Sequence, residues 1–161
     1  MKITVLGSGS WGTALGLILA GNGHDVAMWA RRDSFVKSIN ASRVNERYLP
    51  GVVLPENMTF SSDIVEGVKG SDIILFASAS QAIREVFEQI KNVVKPETII
   101  VNVAKGIENG TLLRPSEIVK ELLPNNQFVV LSGPSHAEEV ALGIPTSLVS
   151  ASESRDAAEI V

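Results

Sequence analysis

The sequence predicts a doubly wound α/β domain built on a mostly parallel sheet. Three features of the 161 residues carry that prediction. Short β-branched runs alternate with helix-like segments, the order that crossover connections require. Several of the runs are apolar throughout, the mark of strands buried on both faces. A glycine-rich turn joins the first run to the first helical segment.

Strands are expected at Ile3–Leu6, Val26–Trp29, Ile73–Phe76, Ile99–Val103, Phe128–Leu131 and Ser147–Val149. Helices are expected near Trp11–Gly21, Ser34–Ala41, Gln81–Val94, Ser116–Leu123 and Ser135–Leu142, with Asp33 capping the second and Pro115 opening the fourth. Arg43–Phe60 breaks the rhythm: its prolines and glycine punctuate a long loop with a short strand near Thr59-Phe60. Ser152–Val161 reads as the capped start of a helix with acidic residues in its first turn and no glycine stop. The chain is therefore expected to finish inside an element, either a short terminal helix or the lead into a further domain.

Composition narrows the function classes. Apolar residues make up 45% and charged residues 20%, which suits one globular domain spanning residues 1–161 and excludes extended disorder. A net charge of −4 and the lack of a basic stripe argue against nucleic acid. With no cysteine, thiol catalysis and cysteine-held metals are excluded, and the two histidines, His24 and His136, are too far apart in sequence to suggest a histidine-rich metal site. Met1-Lys2 leads straight into the first strand without a leader pattern. The longest mainly apolar stretch, Ala14–Gly21, falls well short of the about 18 residues a membrane span needs. A cytoplasmic protein with no membrane span is the expectation.

Gly7-Ser8-Gly9-Ser10-Trp11-Gly12 matches GxGxxG between a strand and a buried helix, the context in which that pattern binds a dinucleotide. Gly7 permits the tight turn, Gly9 lets a pyrophosphate approach the backbone, and Gly12 lets the helix pack close to the strand. Free N–H groups at the helix start meet the phosphate charge. The domain is thus Rossmann-like. Trp11 either packs over the cofactor or simply packs at the helix start.

The second strand of such a domain normally ends in an acidic residue that binds the adenosine ribose. Here Ala30 stands at about that position, followed by Arg31-Arg32. Guanidinium groups attract a 2′-phosphate that a carboxylate would repel, so NADPH is expected to be accepted and preferred over NADH. His24 and Trp29 read as a turn residue and as strand packing.

Two more motifs follow strands. Lys105-Gly106-Ile107-Glu108 comes after Ile99–Val103 and places a lysine toward the crevice at the strands' carboxyl ends. Lys105 can hold a phosphate oxygen or stabilise the charge developing on a reacting carbonyl, a candidate electrostatic role. Gly133-Pro134-Ser135-His136-Ala137-Glu138-Glu139-Val140 comes after Phe128–Leu131. Its small residues admit a ligand, and Ser135 offers a hydroxyl to that ligand or caps the helix. Ser78 and Ser80 are expected near the nicotinamide half.

Together with Trp29-Ala30-Arg31-Arg32 and Tyr48-Leu49-Pro50-Gly51, these motifs stand in the order found in bacterial NAD(P)-dependent glycerol-3-phosphate dehydrogenases, which the chain resembles over essentially its whole length. The resemblance implies NADP or NAD as cofactor, contacted by Ser10, Trp11, Arg31, Lys105 and Ala137, with Arg32 assisting. It implies substrate contacts from Lys105, Gly133 and Ser135. It further implies reduction of dihydroxyacetone phosphate to sn-glycerol 3-phosphate, feeding phospholipid synthesis, with hydride passing between the nicotinamide and the substrate's central carbon. In that family a second, mainly helical C-terminal domain carries the proton-transfer lysine and much of the phosphate site. It is expected to be missing from these 161 residues, which alone should bind cofactor with little or no turnover and expose an apolar patch that favours a homodimer. Two alternatives stay open: a stand-alone dinucleotide-sensing module, and a related two-domain dehydrogenase acting on a sugar acid or ketopantoate.

Overall fold

A computed structural model describes every residue, Met1–Val161. The elements run β1 (Lys2–Leu6), α1 (Ser10–Gly21), β2 (Asp25–Trp29), α2 (Asp33–Ser42), β3 (Val44–Asn45), β4 (Leu49–Val53), β5 (Met58–Ser61), α3 (Ile64–Val68), β6 (Ile73–Phe76), a 3-10 turn (Ser80–Ala82), α4 (Ile83–Ile90), β7 (Ile99–Asn102), α5 (Pro115–Leu122), β8 (Phe128–Ser132), α6 (Ala137–Ala141), β9 (Val149–Ser152) and α7 (Arg155–Ile160). Seven strands form one sheet in the order β5-β2-β1-β6-β7-β8-β9, and β3 and β4 pair separately. Every pairing in the large sheet is parallel except β8 with β9. The chain winds outward from β1 through β2 to β5, then returns to β1's other side and winds out through β6, β7 and β8. The reversal of direction falls between β1 and β6, where an open sheet leaves a crevice beyond the carboxyl ends of its strands.

The alternation of side chains along each strand divides the core in two. Ile3, Val5, Val26, Met28, Leu75 and Val101 bury one face beneath α1, α2 and α7. Leu6, Ile74, Phe76 and Ile100 bury the other beneath α3, α4 and α5. Apolar runs such as Ile73–Phe76 are buried residue by residue because both faces are covered. The one polar residue inside β1, Thr4, is fully buried and satisfied: its hydroxyl donates to Gly67 O (2.8 Å) and shares a hydrogen bond with Ser71 Oγ (2.7 Å). No helix is long and apolar enough to cross a membrane.

The structure departs from the sequence reading in several places. The last strand lies at Val149–Ser152, not Ser147–Val149, and runs antiparallel on the sheet edge. The long segment after Arg43 folds into the β3–β4 hairpin before β5. Arg43 itself takes the left-handed conformation that ends α2 (φ 53°), and its guanidinium donates to Leu54 O, Pro55 O and Met58 O. Asp33 does not cap α2 from outside; it is the first helical residue and pairs with Lys37 (2.8 Å). Pro115 does open α5, and Glu117 Oε2 accepts from Arg114 N (2.9 Å) in the same first turn. The helix expected at Gln81–Val94 is shorter, a 3-10 turn followed by Ile83–Ile90. The five-residue α3, capped by the Asp63 carboxylate on Glu66 N (3.0 Å), was not anticipated.

Phe87 of α4 is fully buried and packs against Phe76 of β6 with ring centroids 5.8 Å apart. Phe87→Ala should lower unfolding stability by about 3–5 kcal/mol. Urea denaturation with an unchanged slope and an earlier midpoint is the expected reading.

Candidate functional site

At the switch between β1 and β6 a groove of about 530 Å³ opens at the strands' carboxyl ends. It is lined by the glycine loop (Gly7, Ser8, Gly9), the end of β2 (Trp29 to Arg32), Arg47 and Tyr48 from the hairpin, and Ala77 and Ser78 after β6. A larger groove of about 730 Å³ runs beside α5 and the β8–β9 pair. That one includes no residue of the glycine loop or of the β1–β6 switch, so the smaller groove is the candidate site on chemical grounds.

The glycine loop is crowded where the helix must dock and open where a ligand must enter. Gly7 has φ 131°, and a Cβ there would lie 2.6 Å from Ser78 Oγ and 2.7 Å from Ala77 O. A Cβ on Gly12 would lie 2.0 Å from Gly7 O. A Cβ on Gly9 would meet nothing within 4 Å, so the space beside it is free. The first helical backbone bond is Thr13 N to Gly9 O (3.0 Å), which leaves the preceding N–H groups without helical acceptors. No side chain caps α1, and it alone among the seven α-helices has no acidic residue in its first turn. That combination presents partial positive charge to an incoming anion.

Residues distant in sequence hold the loop in shape. Ser8 Oγ donates to Trp29 O (3.0 Å). Asn45, fully buried in β3, donates to both Ser8 O (3.0 Å) and Thr13 Oγ1 (2.8 Å), and its Oδ1 accepts from Tyr48 N (3.2 Å). Ser78 Oγ donates to Leu6 O (2.9 Å). The sequence reading missed Asn45. A lone asparagine in Val44-Asn45-Glu46-Arg47 carries no periodic signal.

At the end of β2 the buried Ala30 offers no carboxylate. Three guanidinium groups gather there instead. Arg31 is largely exposed and faces Glu85 at 3.8 Å. Arg32 lies over the Phe35 ring (6.0 Å to the centroid) and within 3.5 Å of Tyr48 Oη. Arg47 lies over the Tyr48 ring (5.2 Å) and adds a cation the sequence reading did not assign.

Trp11 and Ala137 do not line the groove. They meet in a small cluster with Ala14, Leu49 and Val140, where α1 packs on α6. Lys105, Gly133 and Ser135 stand farther along the same sheet edge, after β7 and β8. A Cβ on Gly133 would lie 2.5 Å from Ser147 O, so that glycine answers a chain crossing. Ser135 precedes α6 without capping it, and its hydroxyl reaches only Gly133 O (3.5 Å). Ser80 meets the Lys105 turn: a Cβ on Gly106 would lie 2.6 Å from Ser80 Oγ. His24 sits in a turn beside the N-terminal amine (3.5 Å), and Trp29 is buried with Nε1 donating to Ser62 O (3.1 Å).

Glu108, at the end of the Lys105 motif, is gripped by Arg84 through two bonds of 2.8 and 2.9 Å. Those bonds, helped by Thr111, hold its carboxyl down at about 2.

Comparison with known proteins places the chain. Residues 2–158 match the family described as NAD-dependent glycerol-3-phosphate dehydrogenase N-terminus. The chain is similar to a glycerol-3-phosphate dehydrogenase [NAD(P)+] of Chlorobium phaeobacteroides, 51% identical over 164 residues that cover 100% of this chain and 49% of the relative. It is similar to the enzyme of the same description from Bacillus velezensis, at 47% identity over 99% of this chain and 47% of the relative. Among solved structures it superposes on glycerol-3-phosphate dehydrogenase from Coxiella burnetii with a TM-score of 0.94 and 35% identity, over 99% of this chain and 49% of that one. The chain spans about half the length of the curated relatives it matches.

Gly12→Ala should force α1 away from β1 and disturb the loop, at a cost of about 1–3 kcal/mol. A lowered melting temperature is the expected result. Glu108→Gln tests the ion pair through pH. A carboxyl held low in the folded state adds stability that is complete above its ordinary value of 4.5 and is lost as pH falls toward about 2. The melting deficit of Glu108→Gln against the parent should therefore be constant near neutrality, shrink below pH 4.5 and vanish near pH 2.

Proposed function

Because the chain belongs to the family of NAD-dependent glycerol-3-phosphate dehydrogenase N-termini, we propose that it forms the dinucleotide-holding part of an NAD(P)-dependent glycerol-3-phosphate dehydrogenase. One observation carries the reading from the structure's side: an uncapped, acid-free helix start beside an open Gly9, flanked by Arg31, Arg32 and Arg47 with no carboxylate at Ala30.

In this reading Gly9, Ser10 and Gly12 bring backbone N–H groups to the pyrophosphate, and Gly7, whose own N–H donates to Trp29 O (3.1 Å), shapes the turn. Arg31 and Arg32 bind the adenosine end and favour NADPH over NADH. Trp11 and Ala137, packed in the α1–α6 contact away from the groove, act by fixing how α6 sits on α1. The bound nicotinamide supplies or accepts the hydride. Lys105, Gly133 and Ser135, along the edge after β7 and β8, take the substrate, with Lys105 as a cation facing the oxygen where charge develops. The substrate pair is dihydroxyacetone phosphate and sn-glycerol 3-phosphate, and the product feeds phospholipid synthesis in the cytoplasm. Residues 1–161 alone bind cofactor with little or no turnover, a reading supported by curated relatives about twice this length. Self-association is supported by an apolar groove of about 420 Å³ on the α1 face, lined by Leu15, Ile18, Leu75, Val101, Leu131 and Ile160. Family membership favours this reading over dehydrogenases of sugar acids or ketopantoate, and a sensing module has no use for Lys105.

Calorimetric titration tests the cofactor assignment. NADPH should bind more tightly than NADH at low salt, with the gap narrowing as salt rises. Arg31→Ala should weaken NADPH about 10- to 100-fold, the scale of one charged hydrogen bond, and leave NADH nearly unchanged. Absence of heat and of any melting shift with both cofactors would overturn the reading.

A further inference from the structure

Residues 103–114 form neither helix nor strand, yet they carry Lys105. Lys105 enters none of the ion pairs in the protein, so its placement rests on its backbone. That backbone is clamped at two ends. On the strand side, Asn102 Nδ2 donates to Ala104 O (2.9 Å) and Asn102 Oδ1 accepts from Ala104 N (3.3 Å). On the far side the clamp comes from the turn that opens α4. Gln81 Nε2 donates to Ile107 O (2.6 Å), and Gln81 Oε1 accepts from Asn109 N (2.8 Å). Arg84 holds Glu108 in a two-bond fork and sends its remaining nitrogen to Glu121 of α5 (2.7 Å).

Gly106 lies between the clamps at φ 128°, pressed against Ser80. The Glu108 side chain is only 13% exposed and that of Arg84 33%. A solitary surface pair contributes little, but a forked, half-buried pair tied into a network fixes geometry. The same turn of α4 also faces the groove: Ala82 and Val86 line it, and Glu85 approaches Arg31.

We propose that Arg84 and Gln81 are positioning residues that set Lys105 at its working place through Glu108 and the Ile107–Asn109 backbone. The proposal rests on the reading of Lys105 given above. Loosening the clamp leaves the lysine's charge intact and misplaces it, and misplacement of a reacting group by about 1 Å costs up to about 100-fold in rate. Cofactor binding is spared, because the groove is lined from the 3-10 turn and α4 by Ala82 and Val86 and by neither Gln81 nor Arg84.

The test uses the full-length enzyme carrying this segment. Arg84→Gln and Glu108→Gln should each lower kcat/KM for dihydroxyacetone phosphate about 10- to 100-fold while the NADPH Kd stays within about twofold. The double variant should be little worse than the more damaging single, because each single already breaks the fork. Arg84→Lys should recover only part of the loss, since one ammonium cannot replace a planar fork. Amide exchange across residues 105–110 should speed up in all of them. Wild-type kcat/KM in both single variants, alongside a loss in Lys105→Ala, overturns the clamp and leaves the reading of Lys105 standing. Wild-type kcat/KM in Lys105→Ala overturns that reading and the clamp with it. Equal loss of NADPH affinity and kcat/KM also overturns the proposal, by assigning Arg84 to the cofactor groove. Glu108→Gln, nearly isosteric, keeps the test open where Arg84→Gln fails to fold.

Discussion

The approach of α1 to β1 is the contact from which the rest of the site follows. Gly7 O sits where a Cβ of residue 12 would be, 2.0 Å away, so helix and strand touch through bare backbone. That closeness points the start of α1 at the crevice and puts its unpaired N–H groups within reach of a ligand. It also leaves the loop with few side chains of its own to hold it. Ser8 is tied to the Trp29 carbonyl, and Asn45 and Ser78 hold the loop and the end of β1 from two further segments. The β3–β4 hairpin, with no place in the main sheet, is explained by the same need. It delivers Asn45 to the loop and Arg47 and Tyr48 to the groove.

Much of the fold was legible because burial on both faces leaves a coarse signal. Ile3–Leu6, Ile73–Phe76 and Ile99–Val103 read as strands without any neighbour's help, and the strands found there end within a residue of those bounds. The edge was illegible for the opposite reason. β9 is Val-Ser-Ala-Ser with alternate residues exposed, and its pairing is decided by the edge of β8 it happens to meet. The hairpin hid behind Pro50 and Gly51, which mark a turn equally well in a loop. Five-residue α3 is too short to show a period, and only its Asp63 cap could have announced it.

The lining of the candidate groove was legible in its glycines and arginines and opaque in its supports. Gly7, Gly9 and Gly12 carry their geometry in their identity. Asn45 and Arg84 do not: each works through partners dozens of residues away, and each resembles an ordinary polar residue until the fold brings the partner close. Helix α4 shows the general case. Its apolar stripe, Ile83, Val86, Phe87 and Ile90, is a core signal that any periodicity count finds. Gln81, Arg84 and Glu85 look like a solvated face, and they are the residues that touch the Lys105 turn and Arg31.

Net charge describes the whole chain and not the groove, because the acids are unevenly placed. A chain at −4 would repel a polyanion if its charge were spread evenly. Instead Asp33, Glu66, Glu85, Glu117, Glu138, Glu139 and Asp156 occupy the first turns of α2 through α7, where each offsets a helix's positive end. Helix α1 receives none. The start of α1 is thus the one helix start left uncompensated, and Arg31, Arg32 and Arg47 line the groove beside it. A carboxylate in the first turn of α1 would gain its helix a few tenths of a kcal/mol, and it would occupy the charge that a phosphate needs.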